Sequence, residues 1–214
     1  MKINRSLPLD QFIELALYDK VNGYYMKKNP FGKEGDFITA PNITRLFSEI
    51  IAIWVVTFWK SIGSPKKFNL LEFGAGNGEM MKVIIETLKN FPECLNNCNF
   101  QIHEKSELLK KKQQFNLKSK KITWVKDIKI SNSFPTIFLA NEFFDALPIK
   151  QFFKKKEGWL ERFVDLNDKK KAEFKDQLID IKSIEHVINF EISKDQEIIE
   201  YSPVSFEYLK HICN

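Results

Sequence analysis

Three glycines at alternate positions, Gly74, Gly76 and Gly78, stand in the segment LLEFGAGNGEM between an apolar run, Phe68 to Phe73, and residues at helical spacing. Glycines so placed let the backbone turn tightly and let a ligand approach without a Cβ in the way. A strand-to-helix turn that holds no ligand would use the same residues, so the neighbours decide. A dinucleotide fingerprint needs Gly or Ala at the third position after Gly76. That position is Glu79, whose charge opposes a pyrophosphate at a helix N-terminus. Glu72, two residues before Gly74, puts a carboxylate at the carboxyl end of the predicted strand. A cofactor carrying ammonium and sulfonium charges suits that carboxylate, which points to S-adenosylmethionine.

Two more acids follow the same logic. Glu104 in QIHEKS ends the next predicted strand, where a carboxylate can accept both hydroxyls of a ribose; an ordinary surface Glu is the competing reading. Asp127, just past the third strand, could meet the adenine amino group, although a strand-end Asp also serves as a turn residue. The fourth strand runs into Asn141, Glu142 and Asp145, interleaved with Phe143 and Phe144. Strand carboxyl ends are where open α/β sheets bind ligands. The phenylalanines fit core packing equally well, but three polar groups beside an apolar site are costly unless paired. The three histidines, His103, His186 and His211, lack metal-ligand spacing and receive no role. No metal site is expected.

The elements that must position these residues are legible from periodicity. Helices are predicted over Leu9 to Tyr18, Thr44 to Lys60, Glu79 to Leu88, Leu108 to Leu117 and Val204 to Ile212. Short apolar runs at Phe68 to Phe73, Phe100 to His103, Ile122 to Val125 and Thr136 to Ala140 alternate with the middle helices, the βαβ rhythm of a parallel sheet. Beyond Pro148 the rhythm changes to antiparallel strands expected at Lys150 to Lys155, Gly158 to Val164 and Ile188 to Tyr201. The predicted class is α/β. N-terminal helices and a lid segment occupy residues 1–65, a Rossmann-like cofactor-binding core residues 66–149, and an antiparallel β insertion with the start of a further region residues 150–214.

With 214 residues, 43% hydrophobic and 29% charged, the chain lies within the range of globular proteins, which excludes collagen-like and wholly disordered readings. The net charge of +5 is carried almost entirely by lysine, since only Arg5, Arg45 and Arg162 are arginine. A nucleic-acid surface enriches arginine, so the seven lysines between Lys105 and Lys121 read as a solvated helix face, and no nucleic-acid partner is expected. Three cysteines without a CxxC pair suggest neither a disulfide framework nor a zinc ribbon and fit a reducing compartment. The N-terminus has no apolar signal segment, and the longest apolar run, Ile50 to Trp59, is about half a membrane span. A cytoplasmic location without membrane insertion is expected.

LEFGAGNG, HEKS with the following Leu109 and Gln113, NEFFDALPIKQF, the earlier GDFITAP and the later WLERFV together resemble the MidA-like class I methyltransferases. The blocks occur in the family's order from about Leu9 to Ser202, and GDFITAP and NEFFDALP are more specific than the glycine loop. The family includes a mitochondrial complex I assembly factor that methylates a protein arginine. The resemblance therefore implies a Rossmann-like fold, S-adenosylmethionine as methyl donor, a protein arginine as substrate and, for eukaryotic relatives, the mitochondrial matrix. By the same resemblance Glu72, Gly74, Gly76 and Gly78 match the cofactor loop, Glu104 the ribose position, and Asn141, Glu142 and Asp145 the substrate-side motif. Gly35, Asp36, Phe37, Thr39 and Pro41 match a segment expected to act as a lid, with Asp36 and Thr39 on the cofactor side. The sequence departs from the pattern at Ala75, usually Pro, at Ser48, usually Gly, at Val83, usually Asp, and at Glu107, usually Pro. Family members continue through a strand with an Asp-Tyr-Gly motif that is not present here, so the chain is expected to be a fragment or a naturally short product. A non-catalytic cofactor-binding assembly module is the alternative reading.

Overall fold

Six consecutive buried residues, Phe68–Phe73, form the strand on which the parallel sheet is built. Burial on both faces is what the interior strand of a parallel sheet requires, and a continuous apolar run supplies it. The computed structural model describes residues 6–32, 35–118, 122–126, 134–166 and 171–213. Along the chain lie β1 (Leu7–Pro8), α1 (Leu9–Tyr18), α2 (Tyr24–Lys27), α3 (Ala40–Ile43) and α4 (Arg45–Ser61). They are followed by β2 (Phe68–Phe73), α5 (Glu79–Leu88), α6 (Pro92–Asn97), β3 (Cys98–His103), α7 (Glu107–Leu117), β4 (Ile122–Val125) and β5 (Thr136–Leu139). After a 3-10 turn at Phe144–Ala146 come β6 (Lys150–Lys155), β7 (Gly158–Leu166), β8 (Ala172–Leu178), α8 (Ile181–Ile188), β9 (Ile198–Tyr201) and α9 (Pro203–Cys213).

The chain divides into two units, one of them Lys20–Asp145. Its sheet is parallel throughout, in the order β4-β3-β2-β5. Successive strands step one way from β2 to β3 to β4, then the chain crosses to the other side of β2 to lay down β5. The order reverses between β2 and β5, and a ligand crevice opens at the carboxyl ends of strands at such a switch point. One sheet face packs Phe68, Leu70, Phe100, Ile102, Ile137 and Leu139 in a core shared with Ala52, Val55 and Trp59 of α4 and Met81, Ile84 and Leu88 of α5. Caps fix where the helices begin: Thr44 accepts from the Leu46 N–H at 3.2 Å, and Ser106 accepts from the Leu109 N–H at 3.3 Å.

The other unit joins Met1–Asp19 to Ala146–Asn214. Its antiparallel sheet centres on β7, which pairs with β8 over Leu160 to Leu166, with β6 over Gly158 to Glu161, and with β1 at Phe163 and Val164. A strand has two edges, so β6 and β1 share the edge that β8 does not occupy. Lys150 binds Asp10 of α1 at 3.4 Å and Glu161 of β7 at 2.7 Å, which ties the first helix to the sheet. The Arg162 guanidinium lies between the Phe153 and Phe174 rings, 4.1 and 4.5 Å from their centroids, with Asp176 3.2 Å away.

The mixed α/β class and the four parallel strands agree with the sequence reading. The expected strand from Ile188 to Tyr201 does not. Its start belongs to α8, where Ile181, Ile184 and Ile188 recur at helical spacing and the Asp180 carboxylate caps the Lys182 N–H at 3.0 Å. Only Ile198–Tyr201 is strand. β8, which its polar sequence AEFKDQL does not announce, forms because β7 offers it a full edge. The interior of the parallel unit should dominate stability. Phe100→Ala, at a residue 1% exposed, should lower stability by about 3–5 kcal/mol, read as a lower urea midpoint with an unchanged slope.

Candidate cofactor site

All three glycines of the loop after β2 have left-handed backbone, at φ +62° for Gly74, +54° for Gly76 and +84° for Gly78. Side-chain-bearing residues rarely adopt this conformation, so the spacing seen in the sequence is a backbone requirement. At Gly74 space adds to it: a Cβ would come within 2.8 Å of the Phe143 ring, which stacks on Phe73 at 5.4 Å. The Gly74 N–H donates to the His103 carbonyl at 3.0 Å, pinning the loop's start to the end of β3, and the Gly78 N–H donates to the Ala75 carbonyl at 2.7 Å. Gly78 then stands at the N-cap of the ten-residue α5.

Glu72, one residue before the end of β2, is 3% exposed, and its Oε2 has no hydrogen-bond partner among the described residues. Burial pushes its carboxyl up to about 8, and the charge of Glu104 adds to the rise. Burial also raises Glu104, against the hydrogen bonds that it accepts. Glu104 takes the Ser106 N–H at 2.9 Å and the Gln113 Nε2 at 2.9 Å, which leaves its carboxylate further lone pairs. Two buried acids, one of them raised further by the charge of the other and with an oxygen left bare among the described residues, are unfavourable without a cation. A ligand with ammonium and sulfonium charge fits this donor set.

Gln113 ties the site together. Fully buried, it donates to the Gly76 carbonyl at 3.0 Å as well as to Glu104, while its Oε1 accepts from the Trp124 indole at 2.9 Å. One amide therefore fixes the glycine loop, the end of β3 and β4. A second set of bonds brings the segment before α4 onto the loop. The Asn42 amide donates to the Thr39 hydroxyl at 2.9 Å, the Asn77 amide donates to Asn42 at 2.8 Å, and the Asn116 amide donates to the Asn77 carbonyl at 2.9 Å. The Ser106 hydroxyl donates to the Tyr25 carbonyl at 2.7 Å. The Phe31 ring, stacked on Tyr25, lies 3.4 Å from where a Cβ on Gly76 would stand.

Among the expected site residues, Glu72, the three glycines and Glu104 stand together at the carboxyl ends of β2 and β3, and Thr39 reaches the loop through Asn42 and Asn77. Asp36 is exposed and held within its own segment by Tyr24 and Lys28. Asn141 is half-buried just past β5, with Glu142 and Asp145 exposed beyond it. Glu142 has φ +51°, an uncommon conformation for a residue with a side chain. Asp127 lies outside the described residues. Gln113, Asn77 and Asn42 receive no site role from the sequence. Asn77 is signalled by its position between two glycines and Gln113 by its place in the block that begins at HEKS, whereas the pattern of the Lys-rich helix does not mark Gln113. Among the described residues no cluster of side chains could hold a metal ion.

The raised Glu72 sets a pH dependence with a definite sign. Its folded value of about 8 exceeds the ordinary 4.5, so folding takes up a proton between them. The stabilisation by the protonated group is complete below about pH 4.5 and fades as pH rises through 8. Without ligand, the chain should lose stability from pH 5 toward 8, and Glu72→Gln should flatten that loss. Urea midpoints across this window test it, and equal slopes for both proteins would refute it.

A sequence profile of the family described as "Putative S-adenosyl-L-methionine-dependent methyltransferase" matches residues 50–214. Among curated relatives, the Xenopus laevis protein named protein arginine methyltransferase NDUFAF7, mitochondrial, is 30% identical, the match covering 79% of this chain and 44% of that one. The Homo sapiens protein of the same name is 29% identical, covering 78% and 43%. The chain thus spans less than half the length of these relatives. A solved structure from Burkholderia thailandensis, described as bound to S-adenosyl-homocysteine, superposes with a TM-score of 0.80 at 23% identity, over 97% of this chain and 55% of that one. At that identity the likeness speaks for the fold. Parallel sheet, glycine loop and profile match agree: the chain belongs to the family of S-adenosyl-L-methionine-dependent methyltransferases, whose cofactor is S-adenosyl-L-methionine.

Proposed function

We propose that this chain is an S-adenosylmethionine-dependent methyltransferase that acts on arginine in a protein substrate. The observation that carries the cofactor half is the buried, unpartnered Glu72 oxygen beside three left-handed glycines at the switch point of the sheet. When bound, S-adenosylmethionine supplies an electrophilic methyl group on a sulfonium. In this reading Glu72 faces the cofactor's positive charge, Glu104 uses its remaining lone pairs for the ribose hydroxyls, and Asp127 meets the adenine amino group. The glycine loop admits the ligand close to the backbone. Thr39 and Asp36 belong to the covering segment, Thr39 holding it to the loop through Asn42.

The arginine half is supported by the names of relatives at about 30% identity and by the polar groups after β5. A guanidinium has a pKa above 12, so removing its proton beforehand at pH 7 would cost about 9 kcal/mol. A pair of carboxylates that holds the guanidinium and takes the proton as the new bond forms avoids most of that cost. Glu142 and Asp145 are assigned this role and Asn141 the orientation of the acceptor nitrogen. The left-handed backbone at Glu142 is consistent with a residue placed for function at some cost in strain.

Calorimetric titration with S-adenosyl-homocysteine, followed by mass spectrometry of arginine-containing protein substrates, tests the two halves separately. Glu72→Gln should weaken binding at least tenfold (about 1.4 kcal/mol). Glu142→Gln should bind within about twofold of the parent yet lose methyl transfer by two orders of magnitude or more. Undiminished binding by the first variant overturns the cofactor assignment, and undiminished transfer by the second overturns the catalytic one.

A further inference from the structure

An extended exposed apolar face lies on α4. One face of this helix buries Ala52, Val55, Val56 and Trp59 in the core, but the opposite face is also apolar. Leu46, Ile50, Ile53, Trp54 and Phe58 are 58, 59, 45, 46 and 40% exposed, and Ile43 just before the helix is 70% exposed. Their spacing draws one stripe along the helix. Its ends and edges carry the features of a surface made to be covered. Trp54 and Phe58 are already stacked at 5.4 Å, which lowers the entropy lost when they are fixed in an interface. The two hydroxyls on the stripe are satisfied within the helix, Thr57 by the Ile53 carbonyl at 2.9 Å and Ser61 by the Phe58 carbonyl at 2.7 Å. Burial would therefore strand no side-chain donor.

We propose that this face pairs with a second copy of itself, two α4 helices lying antiparallel across a two-fold axis. Area and charge both favour that occupant. The stripe offers on the order of 600 Å² of apolar surface per protomer, so a pair would cover about 1,200 Å², the lower end of the range for specific interfaces. Each stripe stands at the upper end of what an ordinary monomer exposes in one patch, about 300–600 Å². A two-fold pairing is self-complementary, and it brings the same flank of both helices together. Glu49 and Lys60 lie on one such flank, eleven positions or about three turns apart. Glu49 precedes Trp54 by five positions and Lys60 follows it by six, so an antiparallel pair centred near Trp54 sets each Glu49 level with the opposite Lys60. Arg45 already orients the Glu49 carboxylate at 2.7 Å, and Lys60 has no ion-pair partner among the described residues.

Sedimentation equilibrium of the chain across the micromolar range tests the pairing. The parent should form dimers in a concentration-dependent way. Trp54→Glu and Ile50→Glu, both at exposed positions, should leave it monomeric with unchanged circular dichroism. Glu49→Lys should weaken association roughly tenfold, because two symmetric contacts become repulsive, and adding Lys60→Glu should restore it. A parent monomeric throughout overturns the proposal and leaves the face to another partner. A dimer indifferent to Trp54→Glu and Ile50→Glu overturns it as well, and failure of the double charge exchange to rescue overturns the antiparallel arrangement.

Discussion

A buried amide has to satisfy two donor hydrogens and an acceptor oxygen, and Gln113 does so by reaching three different elements. Its hydrogens go to the Gly76 carbonyl and to Glu104, its oxygen to Trp124. Because an unmade hydrogen bond inside a protein costs more than a made one contributes, these three partners cannot drift apart independently. The glycine loop, the end of β3 and Trp124 of β4 are thereby held in one arrangement, and Glu72 and Glu104 stand where that arrangement puts them. Glu104 is fixed directly. Glu72 is fixed by the sheet, whose registers with β3 and β5 place it opposite Ile102 and Leu139.

That rigidity gives the bare oxygen of Glu72 its meaning. A carboxylate on a mobile loop would turn to water, whereas one on the interior strand of a parallel sheet cannot. Its choices are protonation or a cationic partner. Without ligand the first applies. A ligand that carries positive charge would supply the second. The segment before α4 is tied to the same loop region through Asn42 on Asn77 and the Ser106 hydroxyl on the Tyr25 carbonyl.

Much of this architecture is legible in the residues themselves. The Phe68–Phe73 run and the helix from Glu79 to Leu88 have the same bounds in sequence pattern and in structure, because an apolar run closed by glycines and a strong 3.6-residue pattern leave little choice. The polar strand β8 and the helix α8 are not legible in this way. Both lie where composition is mixed, so that a neighbour's open edge and a single Asp180 cap decide between strand and helix. Gln113 is visible in the sequence only as part of a motif. Nothing in a Lys-rich helix says which polar side chain turns inward until β4 and the loop surround it.

Sequence alone determined the parallel α/β rhythm, the glycine loop and the acids at strand ends, because each of these is local: backbone conformation, periodicity and residue type act within a few positions of one another. The tertiary structure decided which polar groups are buried and to whom they are bonded. That is why the unpartnered oxygen of Glu72, the three-way bond of Gln113 and the uncovered apolar stripe of α4 are evident only in the folded chain. Burial and partnership depend on residues far apart in the chain, and no local pattern carries them.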